Sequence, residues 1–439
     1  MTLIPLSRLL VEGRPDDHTV ALRNGQPIHF GRFRRDVMDA AVHFKDCRRA
    51  ALVCQDSYNF IVGFYGLLHA GANVVMLPNS KAGFTQTGTE EFDLLIDDSL
   101  IENGQGKAIE LKPIDAERFS LNFLTSGSTG APKKVSKNLA MLEREIMTLD
   151  ALWGSNSGCG PVFDTVSHQH VYGLTFKLLW PLMAGRPFSA TTHTLWESLF
   201  AELHPDSVIV SSPAHLERMG GIALIPENQK PRRIFSAGAP LSLAASQQAE
   251  RVFGCRPTEI FGSTETGAFA TRSQEIGDEP WKLLPNMSIR CDENGCLVLD
   301  SPFIGNEWLT TADLIEPLAD GFRFLGRADR IAKIEGKRIA LAAVEQSLTQ
   351  LPFVKAAAVA VLQGKPIRLV AAVVPNEKGQ KTLAEIGKFR FGRLLRSNLC
   401  ATLEAAGIPR RWRFVNELPA KALGKRNDAD ICALFNEGT

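Results

Sequence analysis

Three consecutive stretches of the chain leave little freedom of architecture. "AALVCQ" (50–55) is short and apolar, "YNFIVGFYGLLHAG" (58–71) has the length of a helix and closes on Gly71, and "ANVVMLP" (72–78) is again short and apolar. Strands run to roughly four to eight residues and helices to ten or more, so the order reads strand, helix, strand. Two strands joined through a helix lie parallel rather than as a hairpin, and a parallel pair needs cover on both faces. Strand-like runs recur at "FDLLIDD" (92–98), "SVIVSS" (207–212) and "RRIFSAG" (232–238), with helical patterns at 137–150 and 241–253. The expected fold class is therefore α/β, with a large N-terminal domain of mostly parallel sheets covered by helices.

A single hydrophobic core stops growing at roughly 250–300 residues, so a chain of 439 residues is expected to divide. After about Gly326 the texture changes to "VKAAAVAVL", "IRLVAAVVP", a helical "FRFGRLLRSNLCATLEAAG" and "RRWRFVNELP", the pattern of a small α+β domain. Between the two textures lies "FLGRADRIAKIEGKRI", dense in charge and glycine, which is the candidate hinge. The expected division is 1–328 and 329–439.

Lys and Arg number 49 against 48 Asp and Glu, so no global field draws the protein to nucleic acid or to an anionic membrane. Any anion must be bound locally. With 44% hydrophobic and 22% charged residues the composition is that of a globular protein. No apolar run approaches the roughly 20 residues of a membrane helix, and "MTLIPLSRLLVEGR" lacks a basic start followed by an apolar stretch. A cytoplasmic protein without membrane insertion is expected. The eight cysteines include no C-x-x-C pair, and Cys291 and Cys296 have no partner pair to complete a zinc set, so all are read as reduced thiols.

The most chemically loaded segment is "LTSGSTGAPKKV", Leu124 to Val135, which follows the strand-like "FSLNFL" and precedes the helical pattern "VSKNLAMLEREIMTL". Thr125, Ser126, Ser128 and Thr129 supply hydroxyls, Gly127 and Gly130 allow the backbone to approach a ligand, and Lys133 supplies charge. Converging N–H groups in such a loop make a nest for phosphate oxygens, and a polyphosphate is the natural occupant. The spacing is not that of the Walker loop, because two residues rather than four separate the glycines. A plain Ser/Gly linker is the competing reading of this loop taken alone.

The segment resembles the phosphate-loop signature of the adenylate-forming enzymes, which include acyl- and aryl-CoA synthetases; only Lys134, where glycine is usual, departs. Further signatures follow in order. "FSAGAPLS" (235–242) resembles the segment lining adenine, "IFGSTETG" (260–267) the aromatic-Gly-x-Thr-Glu motif, and "WLTTADL" (308–314) Trp-x-x-Thr-Gly-Asp-Leu. "GRADRIAKIEGKRIALAAVE" (326–345) resembles the hinge, and "LPAKALGK" (418–425) the C-terminal lysine motif. Ala312 stands for glycine, Ala420 and Lys421 stand where Lys-Thr is usual, and Arg426 replaces an aliphatic residue.

The resemblance implies ATP-dependent conversion of a small-molecule carboxylic acid to an acyl-adenylate with release of pyrophosphate. Thioester formation follows, with CoA or the phosphopantetheine of an acyl carrier protein as acceptor. It implies that Thr125, Ser126, Gly127, Ser128, Thr129, Gly130 and Lys133 hold phosphates, and that Gly238, Ala239, Pro240, Phe261, Gly262, Ser263 and Thr264 line the nucleotide. Glu265 is implied as the Mg²⁺ ligand, Asp313 as acceptor for the ribose hydroxyls, and Arg327 and Arg338 as contacts to ribose or phosphate. Lys425 is implied as the adenylation lysine, His170 in "HVYG" as a group beside the acyl pocket, and Asp329 as the pivot of a mobile C-terminal domain. A chain that binds the nucleotide without turning it over is the alternative raised by the altered C-terminal motif. "STET" would also suit a helix N-terminal cap.

Overall fold

The computed structural model describes residues 2–77, 91–102, 109–126, 132–305, 307–334, 337–362, 368–400, 403, 405–419 and 428–436. They form two compact units, one of residues 1–289, 299–309 and 319–321, the other of 290–298, 310–318 and 322–439. The candidate hinge residue Asp329 falls in a 3₁₀ turn, Ala328–Arg330, of the second unit. Among the described residues no helix is long and apolar enough to cross a membrane.

The described residues of the first unit contribute to two sheets. In one, Leu94–Ile96, Arg49–Leu52, Asn73–Met76 and Ser120–Ser126 are parallel neighbours, closed by the antiparallel strand Pro132–Asn138. The expected strand–helix–strand unit is present: the crossover helix Ser57–Ala70 starts on Asp56, whose carboxylate accepts from Tyr58 N and Asn59 N, and stops at the left-handed Gly71. In the other sheet the strands Thr258–Ser263, Arg233–Ala237, Val208–Ser211, Val162–Asp164, Phe188–Ser189 and Thr19–Arg23 run parallel in that order. The antiparallel strands Gly267–Arg272 and Trp281–Leu283 extend it beyond Thr258–Ser263.

One expectation fails instructively. Residues 135–138, read as the opening of a helix, continue a β-hairpin, and the helix begins only at Leu139. Asn138 has extended backbone and its side chain accepts from Met141 N, so it caps the helix and sets the start. Residues 127–131, with Gly127, Ser128, Thr129 and Gly130, lie outside the described residues. Their flanks Ser126 and Pro132 face each other across the hairpin.

The strand Val162–Asp164 ends in a buried ion pair. Lys177, in the π-helical turn Leu174–Leu179, places Nζ 2.8 Å from Asp164 Oδ2 and donates to Thr192 Oγ1 at 2.7 Å, with both charged side chains fully buried. Burial lowers the lysine and raises the carboxyl from their ordinary ranges. Desolvation is repaid only while both charges are present.

The second unit contains the sheet Val354–Leu362, Arg368–Pro375 and Arg411–Phe414. Its strands alternate faces: Val359, Ala371 and Val373 pack with Val344, Leu348, Phe391 and Leu395 on one side, and Ala360, Val370 and Ala372 with Ile431 and Phe435 on the other. Arg330 enters this unit through a bidentate pair with Glu345 (3.1 and 2.9 Å), and Glu345 also accepts from Val359 N. The long helix Glu377–Leu399 is broken at Gly387, where φ is 77°.

Lys177→Met is expected to lower stability by about 3–5 kcal/mol, and Lys177→Met combined with Asp164→Leu to recover most of the loss. Urea unfolding of the two variants measures both effects.

Candidate functional site

Loops that leave the carboxyl ends of neighbouring parallel strands gather along one edge of a sheet, which is where α/β folds bind ligands. Strands Val162–Asp164, Val208–Ser211, Arg233–Ala237 and Thr258–Ser263 are successive neighbours. Their carboxyl ends lead into the segments holding His170, Ser212, Gly238–Ala239–Pro240 and Ser263–Thr264–Glu265. The register pairs Ala237 with Ile260, so Gly238 and Phe261 emerge side by side.

"STET" forms a hairpin turn between strands Thr258–Ser263 and Gly267–Arg272 rather than a helix start. Its first and last residues bond each other's backbone: Ser263 N donates to Thr266 Oγ1 (2.8 Å) and Thr266 N to Ser263 Oγ (3.2 Å). Gly262 is required, because a Cβ there would lie 2.2 Å from the Gly267 carbonyl oxygen. Thr264 and Glu265 sit at the tip, half-buried.

The 238–241 segment is clamped from behind. Leu241 N donates to Glu259 Oε2 (3.2 Å) and Gln274 Nε2 donates to the Leu241 carbonyl (2.8 Å) and to Glu259 Oε1 (2.6 Å). Arg272 bonds both Glu259 oxygens at 2.9 and 3.1 Å. The Arg272 guanidinium also lies 4.4 Å over the Trp281 ring, which packs edge-on against Phe261 at 4.8 Å. A chain of contacts thus runs from Phe261 to the Gly-Ala-Pro turn. Sequence reading missed Glu259, Arg272 and Gln274; the available signal was opposite charge at the hairpin-paired positions 259 and 272.

Two histidines of "SHQH" separate in role. His168 is buried, with Nε2 2.9 Å from the Cys54 carbonyl and Nδ1 3.1 Å from Ser57 Oγ. The carbonyl only accepts, so Nε2 carries the proton and Nδ1 accepts from the hydroxyl. Burial, aided by Lys177, pushes its pKa down to about 3. His168 is a satisfied core histidine. His170 is half-buried at the start of the turn Val171–Gly173, which packs against strand Gly267–Arg272.

In the second unit Asp313 and Arg327 meet: Arg327 Nη1 donates to Asp313 Oδ1 at 3.1 Å, and Asp313 N lies within bonding distance of Thr311 Oγ1. Asp313 is buried and Arg327 half-exposed. Arg338 lies opposite Lys333 in the two-stranded pairing of Ile331–Ile334 with Lys337–Ala340. Thr125 pairs with Lys133 in the 120–138 hairpin. Lys134, the residue that departs from the signature, bonds Glu91 at 2.7 Å. Lys425 lies outside the described residues. Among those described, no group of three or more His, Cys, Asp or Glu is arranged to hold a metal by itself. Mg²⁺ is a hard cation that takes carboxylate, phosphate and water oxygens, so one carboxylate such as that of Glu265 would fit it as a protein ligand.

A family model described as AMP-binding enzyme matches residues 78–302. The 4-coumarate–CoA ligase of Cereibacter sphaeroides is 26% identical over 309 residues, 70% of this chain and 70% of that one. Among solved structures, ATP-bound MatB from Rhodopseudomonas palustris matches with a TM-score of 0.80 at 17% identity, over 99% of both chains. MenE from Bacillus subtilis in complex with the acyl-adenylate OSB-AMP matches with a TM-score of 0.78 at 18% identity, over 98% of both chains.

The depressed His168 pKa makes acid destabilising. Below about pH 6.5 the unfolded chain takes up a proton at this ring and the folded protein does not, so stability falls as pH drops toward the folded value. The expected contribution is about 1 kcal/mol per pH unit between about pH 6.5 and 3. Urea unfolding across this range is expected to show a shallower pH slope in His168→Gln, by about one proton.

Proposed function

The chain belongs to the AMP-binding enzyme family, and on that footing we propose that it is an AMP-forming acid–thiol ligase acting through the residues described above. The observation that carries this reading is the convergence of the Gly238–Pro240 and Phe261–Glu265 segments on adjacent strand ends, with the first clamped by Glu259 and Gln274.

In the first step a carboxylate oxygen bonds to the α-phosphorus of ATP while the bond from that phosphorus to the bridging oxygen breaks, and pyrophosphate leaves. Both reactants are anions, so the protein's contribution is mainly positioning and offsetting charge. Residues 125–133 hold the outer phosphates with backbone N–H groups, hydroxyls and Lys133. Gly238, Ala239, Pro240 and Phe261 line the adenine, while Gly262, Ser263 and Thr264 line the phosphate side. Glu265 holds Mg²⁺, which when bound neutralises phosphate charge. Asp313, held by Arg327, accepts from the ribose hydroxyls; Arg338 approaches a phosphate. Lys425 contributes an ammonium between the substrate carboxylate and the α-phosphate, and His170 borders the acyl group.

In the second step a thiol attacks the acyl carbon, the bond between that carbon and the AMP oxygen breaks, and AMP leaves. CoA is the acceptor suggested by the named ligase relative; carrier-protein phosphopantetheine presents the same thiol. Asp329, one residue before the anchored Arg330, is the pivot about which the C-terminal domain reorients between steps. The domain division proposed for this motion is 1–328 and 329–439.

Acid-dependent exchange of labelled pyrophosphate into ATP tests the reading across a panel of aryl and short-chain acids. Exchange with at least one acid is expected; nucleotide binding without exchange would instead identify a binding protein. Lys425→Ala is expected to cut the exchange rate by about 10²-fold or more with ATP affinity retained, because its charge acts mainly as the anions meet. Asp313→Ala is expected to raise the KM for ATP by about 10–100-fold, the cost of charge-assisted hydrogen bonds, as read in initial rates.

A further inference from the structure

Strand Pro132–Asn138 carries a lysine where a strand of this kind would ordinarily bury an apolar side chain. Lys137 is 3% exposed, and its Nζ donates to the carbonyls of Glu265 (3.3 Å) and Phe303 (3.1 Å). Burial holds its pKa below the usual lysine range, opposed by the charges of Glu145 and Glu265. Glu145, on helix Leu139–Trp153, is buried too: Oε1 accepts from Ala268 N at 2.9 Å, and Oε2 has no hydrogen-bond partner among the described residues. Burial raises this carboxyl, with Lys137 opposing.

The two charges grip one turn from opposite ends. Lys137 holds the carbonyl of residue 265 and Glu145 the amide of residue 268, three positions on. Gly267 between them has φ +67°, and a Cβ there would lie 2.9 Å from Glu145 Oε2. The left-handed backbone favours glycine, and a side chain there would press on the carboxylate that grips the turn. Lys137 belongs to the strand that leaves the proposed phosphate-holding tip, and Glu145 to the helix that follows it.

Buried ion pairs seldom add stability over apolar residues of the same shape, because each charge loses several kcal/mol of hydration. A structural plug here needs no charge. An ammonium, however, can hold two carbonyl oxygens at fixed positions, which a methionine cannot.

We infer that Lys137 is a positioning residue for the adenylation step, bracing the Ser263–Gly267 turn against the phosphate hairpin with Glu145 as the opposing grip. The inference rests on the proposed reaction. Through this brace the Glu265 backbone keeps one spacing from strand Pro132–Asn138 before nucleotide arrives.

The test uses the full chain with Lys137→Met and with Lys137→Met/Glu145→Gln, the second removing the negative charge that the first leaves buried. Both are expected to fold. The rate of pyrophosphate exchange at saturating ATP should fall about 10–100-fold in each, since displacement of about 1 Å at a reacting centre costs that much, while ATP affinity measured by calorimetry changes much less. Backbone hydrogen exchange in the 263–270 segment should quicken in both variants while segments elsewhere in the first unit keep wild-type protection. That readout does not depend on turnover, so absence of wild-type pyrophosphate exchange would count against the reaction, whereas unchanged protection would count against the brace. Wild-type exchange rates in the double variant would overturn the inference. Failure of both variants to fold would also overturn it, making Lys137 a folding residue.

Discussion

The strand ends of the first unit impose the constraint on which the rest depends. Where parallel strands Arg233–Ala237 and Thr258–Ser263 finish together, two turns distant in sequence must occupy adjacent space. Turns at such an edge expose backbone groups, and they hold a shape only if something behind them is fixed. Here the fixing elements are polar and mostly charged. Glu259, Arg272 and Gln274 secure the turn after the first strand, and Lys137 with Glu145 secures the turn after the second.

These supports explain why the site is built with buried charge rather than with apolar packing alone. Carbonyl and amide groups of a turn are directional, so fixing them takes directional partners, and charged partners form the stronger bonds. The desolvation that this entails is offset where pairs are complete, as with the doubly bonded Arg272 and Glu259. The pair of Asp164 with Lys177 applies the same logic beside the segment leading to His170.

Much of this was legible in the sequence, for reasons that differ by feature. The crossover helix could be read because Asp56 and Gly71 punctuate a segment whose length and apolar content admit no other element. The motif turns could be read because their glycines and hydroxyls are local in sequence. Residues 135–138 were misread as helix because "VSKN" has no pattern of its own, and its strand state is set by pairing with residues 120–123. The braces stayed hidden for a related reason: Lys137 and Asp164 are ordinary charged residues until topology buries them against groups many positions away. Between His168 and His170, two positions apart, only the fold tells the core residue from the one left half-buried.

The central claim is that a carboxylate oxygen becomes bonded to the α-phosphorus of ATP. An acid that supports exchange, labelled with heavy oxygen in both carboxylate positions, tests this directly when turned over with ATP and CoA and the products are weighed by mass spectrometry. The account predicts one heavy oxygen in AMP and the other in the thioester. Heavy oxygen in inorganic phosphate with ADP as the nucleotide product, or unlabelled AMP, would contradict it.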